Sequence, residues 1–225
     1  MLSKTFVRFT SRGGLALRAF SVDQKIDFGY KEVNRDDKEK LVGKVFSSVA
    51  ESYDLMNDAM SFGVHRCWKD QFVGMTGPMR MRKVTDEKGA VIGEEPLKIL
   101  DVAGGTGDIS FRMHEKAKSE ANAGSKESLC NDNYLELPVD ITVSDINPNM
   151  LDVGKRRAVE RGIFHDLKFL VANAENLETL KSDDYDLYTI AFGIRNVTDR
   201  PKALKEAYRI LRRGGRFMCL EFSEV

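Results

Sequence analysis

The stretch ILDVAGGTGDIS, from Ile99 to Ser110, decides the fold class of this chain. Apolar residues run into an aspartate and then into a cluster of glycines, and a helix-like pattern follows. A glycine-rich turn between a buried strand and a helix lets a ligand come close to the backbone at the carboxyl end of a sheet. The sequence therefore predicts an α/β domain with a ligand site at this turn.

Strand and helix patterns alternate along the rest of the chain. We expect strands at 97–102, 139–144, 167–172, 185–192 and 216–222, and helices at 106–118, 149–161 and 200–211. This alternation predicts a doubly wound, mostly parallel sheet with helices on both faces, a Rossmann-like arrangement. The last strand would be a bare edge, so we expect either that the natural protein continues beyond this point or that this product is truncated.

The remaining segments divide the chain. Residues 1–22 hold four basic residues and no acid, with hydroxyl and apolar residues interspersed. This composition is typical of a mitochondrial targeting presequence, and a disordered basic tail is the alternative. We expect a flexible approach at 23–43 and one domain at 44–225, with N-terminal helices at 44–73, a loop or ribbon at 74–95 and a surface insertion at 119–137.

Composition excludes several classes of function. A hydrophobic content of 42% supports a real core, and a net charge of zero gives no electrostatic reason to expect nucleic acid. The longest apolar runs are far shorter than the ~18 residues of a membrane span. The three cysteines and three histidines show no ligand spacing, so we expect reduced thiols and no metal site.

The charges around the glycine turn predict the ligand. A dinucleotide would place its pyrophosphate at the N-terminus of the following helix, where Asp108 would repel it. Asp101 flanks the turn on the other side, so two carboxylates surround Gly105 and Gly107. A cation or zwitterion without phosphate suits such a turn, and S-adenosylmethionine is one. Asp145, at the end of the second strand, would accept the ribose hydroxyls.

A more specific pattern extends over nearly the whole chain after residue 45. Its stretches are VFSSVAESYDLMNDAMSFGVHRCWKD (45–70), LDVAGGTGD (100–108), SDINPNMLDVGKRR (144–157), ANAENL (172–177), AFGIRNVTDRPKALKEAYRILRRGG (191–215) and LEFS (220–223). They resemble, in order, the ubiquinone/menaquinone biosynthesis C-methyltransferases, a family of class I S-adenosylmethionine enzymes. The resemblance implies a methyltransferase domain at 44–225 that methylates a ring carbon of a polyprenyl methoxy-benzoquinol. The leader-like N-terminus favours the mitochondrial ubiquinone branch.

The resemblance also implies particular contacts and partners. Thr106 would touch the cofactor, and Asn173 and Ala174 would lie near the adenine. Ala191 stands where bacterial members commonly carry serine, so only a backbone contact would remain there. The family further implies a second copy of the chain, other ubiquinone-biosynthesis proteins and the matrix face of the inner membrane as partners.

Catalytic candidates follow the fourth strand, because the carboxyl ends of such strands face the ligand crevice. Arg195 would stabilise a developing phenolate or hold a water that accepts the proton, unless it pairs with a local acid such as Asp199. Asn196 would orient the ring oxygen. Tyr53 is a further candidate, either in a substrate lid or in ordinary core packing.

The histidines are weaker signals. His65 would act as a base or form a packing corner with a buried Trp68, and we expect His114 and His165 at the surface. Three alternative functions stay open: an O- or N-methyltransferase of another small molecule, a non-catalytic cofactor-binding scaffold, and a nicotinamide oxidoreductase.

Overall fold

The computed structural model describes residues 25–28, 31–34, 58–59, 61–86, 88–124 and 137–222, with the backbone alone for 25–28, 31–34 and 124. Its main sheet has five parallel strands in the order β7-β6-β5-β8-β9. These strands are β5 (Leu97–Val102), β6 (Val139–Asp145), β7 (Leu167–Val171), β8 (Tyr185–Ala191) and β9 (Leu211–Leu220). The predicted doubly wound parallel sheet is therefore confirmed.

The strand β5 is central and buried on both faces. Ile99 belongs to the apolar cluster on one face, whereas Leu100 and Val102 belong to the cluster on the other. Successive side chains of a strand point to opposite faces, so a strand covered on both sides reads as a continuous apolar run. The chain places β6 on one side of β5 and β8 on the other, and a ligand crevice is expected where the order reverses.

Helices cover the two faces of the sheet. The helices α1 (Val64–Gly74), α2 (Asp108–Gly124) and α3 (Pro148–Glu160) contribute to the first cluster, and α4 (Arg200–Ile210) contributes to the second. Two of the helices have clear start signals. The side chain of Asn147 caps α3 by accepting from the Asn149 N–H at 3.0 Å, and Asp199 caps α4 by accepting from the Lys202 N–H at 3.1 Å.

Four short strands lie outside the main sheet. The strands β1 (Lys25–Phe28) and β2 (Lys31–Asn34) form an antiparallel pair within the segment predicted as a flexible approach. The strands β3 (Arg82–Thr85) and β4 (Val91–Glu95) form a second pair, which confirms the ribbon. Among the described residues, no helix is both long enough and apolar enough to span a membrane.

Some element boundaries differ from those predicted. The helix α2 begins at Asp108 and continues to Gly124, so the first residues of the predicted insertion at 119–137 are helical. The strand β9 begins directly after α4, at Leu211. Tyr185 of β8 pairs with Leu211 and Leu187 pairs with Arg216, so the residues of β9 around Gly214 form an irregularity in the pairing. Residues 44–57 and 125–136 lie outside the described part of the chain.

Candidate functional site

The turn between β5 and α2 forms the floor of an open cleft. This turn packs tightly on its far side: a Cβ on Gly104 would lie 2.8 Å from Val143 Cγ1, and one on Gly107 would lie 2.7 Å from Phe111 Cζ. On its near side Gly105, at φ 55°, lines the cleft. The glycines therefore serve two purposes, since those at 104 and 107 allow packing and Gly105 exposes backbone to a ligand.

Two residues that are not glycine hold a left-handed backbone beside the cleft. Ala103 follows β5 with φ 53°, and Phe192 follows β8 with φ 56°. Both line the cleft. Such a conformation costs about 1–3 kcal/mol in a side-chain-bearing residue and is found preferentially at ligand sites. These two strained residues therefore indicate a functional site where the adjacent parallel strands β5 and β8 end.

Asp101 lies beneath the turn and is 1% exposed. The hydroxyl of Ser110 donates to one carboxylate oxygen at 2.7 Å, and the hydroxyl of Thr189 donates to the other at 2.8 Å. Burial nevertheless raises the pKa of Asp101 to about 6, because desolvation outweighs these two hydrogen bonds. Asp101 is thus harder to ionise than an aspartate in water.

Asp145 joins the glycine turn to the end of β6. Its Oδ2 accepts from the Gly105 N–H at 2.9 Å, and its Oδ1 accepts from the Asn147 N–H at 2.8 Å. Burial raises the pKa of this carboxyl, although the backbone donors oppose the shift. A carboxylate has about four lone-pair positions, so Asp145 retains acceptor capacity toward the cleft.

Asp108 is neutralised by two cations. Lys69 Nζ, from α1, donates to Asp108 Oδ2 at 2.7 Å, and Arg112 Nε donates to Oδ1 at 3.2 Å. Burial by itself would raise the pKa of Asp108, but these two charges hold it below its usual value. The prediction that Asp108 would repel a phosphate took no account of these cations, and Lys69 lies 39 positions earlier in the chain.

The segment after β8 forms the opposite wall of the cleft. Ala191, Phe192, Gly193 and Asn196 line it. A Cβ on Gly193 would lie 2.5 Å from Ala103 Cβ, so only glycine lets the two strand-end loops meet.

Arg195 lies outside this lining. Its side chain is 46% exposed, its guanidinium pairs with Glu221 at 3.3 Å, and it stacks over the Phe222 ring at 5.0 Å. Phe222 in turn contacts Phe192 at 5.1 Å and Trp68 at 5.6 Å between ring centroids. Arg195 and these rings therefore stand at the mouth of the cleft.

A second lobe continues the cleft toward β7. Asn173 and Ala174 line it together with Ile146 and Val197, and Asp145 borders both lobes. The side chain of Asn173 is engaged locally, because its Oδ1 accepts from the Glu175 N–H at 2.8 Å. The cleft is thus a two-lobed trough along the carboxyl ends of the strands, with a carboxylate at its middle.

Most of the predicted site residues meet in this trough. The residues that line it are Asp101, Gly105, Thr106, Asp145, Asn173, Ala174, Ala191 and Asn196. Gly107 and Arg195 are adjacent to it without lining it, and Tyr53 lies outside the described residues. Sequence reasoning missed Lys69, Ile146, Met150 and Phe192 as lining residues. Lys69 stands in the HRCWKD motif, beside the histidine and tryptophan that the sequence analysis singles out.

Two of the three histidines are buried. His65 is 6% exposed, contacts Ser61 Oγ through Nδ1 at 2.7 Å, and does not line the trough; burial lowers its pKa. The prediction of a surface position for His114 is wrong, since it is 2% exposed and its Nε2 lies 2.8 Å from Asp166 Oδ2. His165 is exposed, as predicted. Trp68 is 37% exposed rather than buried.

Comparisons with known proteins agree on one family. The model of the "ubiE/COQ5 methyltransferase family" matches residues 33–225. The rice protein "2-methoxy-6-polyprenyl-1,4-benzoquinol methylase, mitochondrial" is 49% identical over 209 residues, which cover 92% of this chain and 65% of the rice protein. The Rhizobium meliloti protein "Ubiquinone/menaquinone biosynthesis C-methyltransferase UbiE" is 44% identical over 218 residues, 97% of this chain and 69% of that protein. The chain thus spans slightly less than two thirds of the rice relative.

A solved structure shares the fold. It is a Methanococcus maripaludis protein named as a candidate S-adenosyl-L-methionine-dependent methyltransferase, with a TM-score of 0.53 and 13% identity over 77% of this chain and 62% of that chain. At this identity the likeness concerns the fold alone. It agrees with the five-stranded parallel sheet described above.

Proposed function

Because the chain belongs to the ubiE/COQ5 methyltransferase family, we propose that it catalyses methyl transfer from S-adenosylmethionine to a ring carbon of a polyprenyl methoxy-benzoquinol. The relatives named as a benzoquinol methylase and as a ubiquinone/menaquinone C-methyltransferase support the substrate class. The observation that carries the proposal is the two-lobed trough with Asp145 at its middle. S-adenosylmethionine carries a base on one side of its ribose, an amino-acid chain on the other and two hydroxyls between them. This division matches a two-lobed trough with a carboxylate at its middle.

The residues of the trough fit S-adenosylmethionine. Asp145 would accept the two ribose hydroxyls with the lone pairs that its backbone donors leave. The adenine would enter the lobe of Asn173 and Ala174, whose lining is mainly apolar and amide. A side chain at position 105 would project toward Met150 Cε, 3.1 Å from the new Cβ, so glycine keeps this part of the floor open. When bound, the cofactor supplies an electrophilic methyl group on a sulfonium.

The protein's task in such a transfer is mainly positioning, because a displacement at carbon needs its reacting atoms in line. Phe192 and the rings of Trp68 and Phe222 offer an apolar wall at the mouth, where an aromatic ring would pack and water would be excluded. Asn196 lines the trough and can hold a ring oxygen by hydrogen bonding. These contacts would present one ring carbon to the interior of the cleft.

A quinol carbon becomes nucleophilic when a neighbouring hydroxyl gives up its proton. Arg195 stands at the mouth with Glu221 on one side and Phe222 on the other. A guanidinium is a poor base because it stays charged, so Arg195 would stabilise the developing phenolate or orient a water that takes the proton. Tyr53 remains a candidate contact from a part of the chain that the structure does not describe.

The experiment uses methyl-labelled S-adenosylmethionine and a demethyl-benzoquinol with a short prenyl tail. We expect the label on a ring carbon, identified by NMR of the product. Asp145→Asn should abolish turnover through weaker cofactor binding, whereas Asp152→Asn, an exposed carboxylate on α3, is the matched control. Label on a ring oxygen would favour an O-methyltransferase. Cofactor binding without any transfer would favour a non-catalytic scaffold.

The names of the relatives and the composition of the N-terminus support a cellular location for the reaction. We propose a mitochondrial location on the matrix side of the inner membrane, in contact with a second copy and with other ubiquinone-biosynthesis proteins. The rice relative is named as mitochondrial, and the presequence-like residues 1–22 lie outside the described part. Fractionation of tagged protein tests this: recovery in the cytosol would contradict it.

A further inference from the structure

The two lobes of the trough differ in charge. The lobe toward β7 is lined mainly by apolar and amide residues such as Ala174, and its charged residues are the carboxylates Asp145 and Glu175. The lobe toward α1 carries Lys69 and Asp108. Among the described residues that line either lobe, Lys69 is the only cation. The described lining of the lobe toward β7 is therefore mainly apolar and has no cation, whereas the lobe toward α1 holds a cation beside a carboxylate.

The position of Asp145 orients a bound nucleoside. It borders both lobes, so a ribose held there directs its base into one lobe and its 5′ substituent into the other. A flat adenine suits the apolar lobe. The amino-acid chain of the cofactor, with one ammonium and one carboxylate, then lies in the lobe that holds Lys69 and Asp108.

The charge of Lys69 is incompletely balanced inside the protein. Lys69 is 5% exposed, and in the described part of the chain its ammonium donates to Asp108 Oδ2. Asp108 shares its charge with Arg112, which also pairs with Asp70. Asp70 is 64% exposed, so water screens its contribution. The buried ammonium of Lys69 thus shares one partly exposed carboxylate with Arg112, and a buried charge without a full partner is costly.

From this arrangement we propose that Lys69 binds the α-carboxylate of the methionine part of S-adenosylmethionine, with Asp108 beside it to receive the α-ammonium. The inference rests on the proposed function, since it takes that cofactor as the ligand. Lys69 would thereby make α1 part of the cofactor site, so that binding also fixes the N-terminal helix against α2. The contrasting reading is that Lys69 only ties α1 to α2 through Asp108.

The test compares two ligands by isothermal titration calorimetry on the full chain. One is S-adenosylhomocysteine, and the other is its decarboxylated analogue, which keeps the ammonium and lacks the carboxylate. The wild-type protein should bind S-adenosylhomocysteine about 10- to 100-fold more tightly, the range for one hydrogen bond to a buried charge. Lys69→Met should remove most of this preference by weakening S-adenosylhomocysteine binding, while the analogue binds as well as before or better.

Two variants serve as controls. Lys69→Arg keeps the charge and should keep the preference. Arg112→Gln removes the other cation from Asp108 without touching the lining of the trough, and should also keep it. A preference that persists in Lys69→Met, or that falls equally in Arg112→Gln, overturns the proposal.

The wild-type measurement makes the test independent of variant folding. If wild type binds both ligands within about threefold of each other, the carboxylate has no dedicated partner and the proposal fails even if Lys69→Met does not fold. Such a result leaves the proposed function standing. If wild type binds neither ligand, the proposed function fails as well.

Discussion

Replacing Asp101 by asparagine should make the protein more stable at neutral pH. The carboxyl is 1% exposed, and burial raises its pKa to about 6 from 3.8 in the unfolded chain. The native state therefore binds this proton more tightly than the unfolded state. Stability from the protonated form is fully present below pH 3.8 and is lost as the pH rises through 6.

The magnitude follows from the size of that shift. Roughly two pKa units correspond to about 3 kcal/mol of unfolding free energy lost between low and neutral pH. Asparagine does not ionise and keeps both neighbours: its carbonyl accepts one hydroxyl, and its amide donates to the other, since the Ser110 and Thr189 hydroxyls can rotate. The advantage of Asp101→Asn over wild type should therefore grow by about 2 kcal/mol between pH 4.5 and pH 7.5.

Urea denaturation at several pH values, followed by far-UV circular dichroism, measures this difference. Asp140→Asn, which removes a carboxylate from the other end of the same sheet, is the matched control. A stability difference for Asp101→Asn that stays flat across this pH range refutes the reasoning. So does an equal slope in Asp140→Asn, because the effect would then not come from the burial of Asp101.

Three further outcomes are expected. Gly193→Ala introduces a Cβ 2.5 Å from Ala103 Cβ, so the two strand-end loops must separate, although the φ of −108° is ordinary for alanine. We expect the free energy of unfolding in urea to fall by about 1–3 kcal/mol and S-adenosylhomocysteine to bind more weakly. Asn147→Ala removes the cap of α3 and should cost about 1 kcal/mol with an unchanged denaturant slope; no loss would mean that Pro148 alone starts the helix. Arg195→Ala should lower kcat in the quinol assay by at least about tenfold. The affinity for the cofactor, measured by calorimetry, should stay unchanged, because Arg195 does not line the trough. A change in affinity without a change in kcat would remove Arg195 from the chemistry.

Local patterns were enough to predict the order, along the chain, of the strands in the main sheet and of the helices between them. The apolar run at 97–102 alternates its side chains between two buried faces, and the glycine turn after it joins a strand to a helix. Because parallel strands bring their carboxyl ends to one edge, the positions of Asp101, Asp145 and Asn196 beside a common cleft followed from strand order alone. Such features depend on residues that are neighbours in sequence.

The sequence by itself therefore determined the α/β class, the glycine turn and the edge of the sheet where the cleft lies, because periodicity and turn chemistry depend on consecutive residues. Only the tertiary structure decided which charged side chains are paired with each other. It paired Lys69 with Asp108, His114 with Asp166 and Arg195 with Glu221, each across 26 or more positions. Whether a carboxylate is bare, neutralised or protonated depends on distances and burial between such remote residues, and no local pattern in the sequence records them.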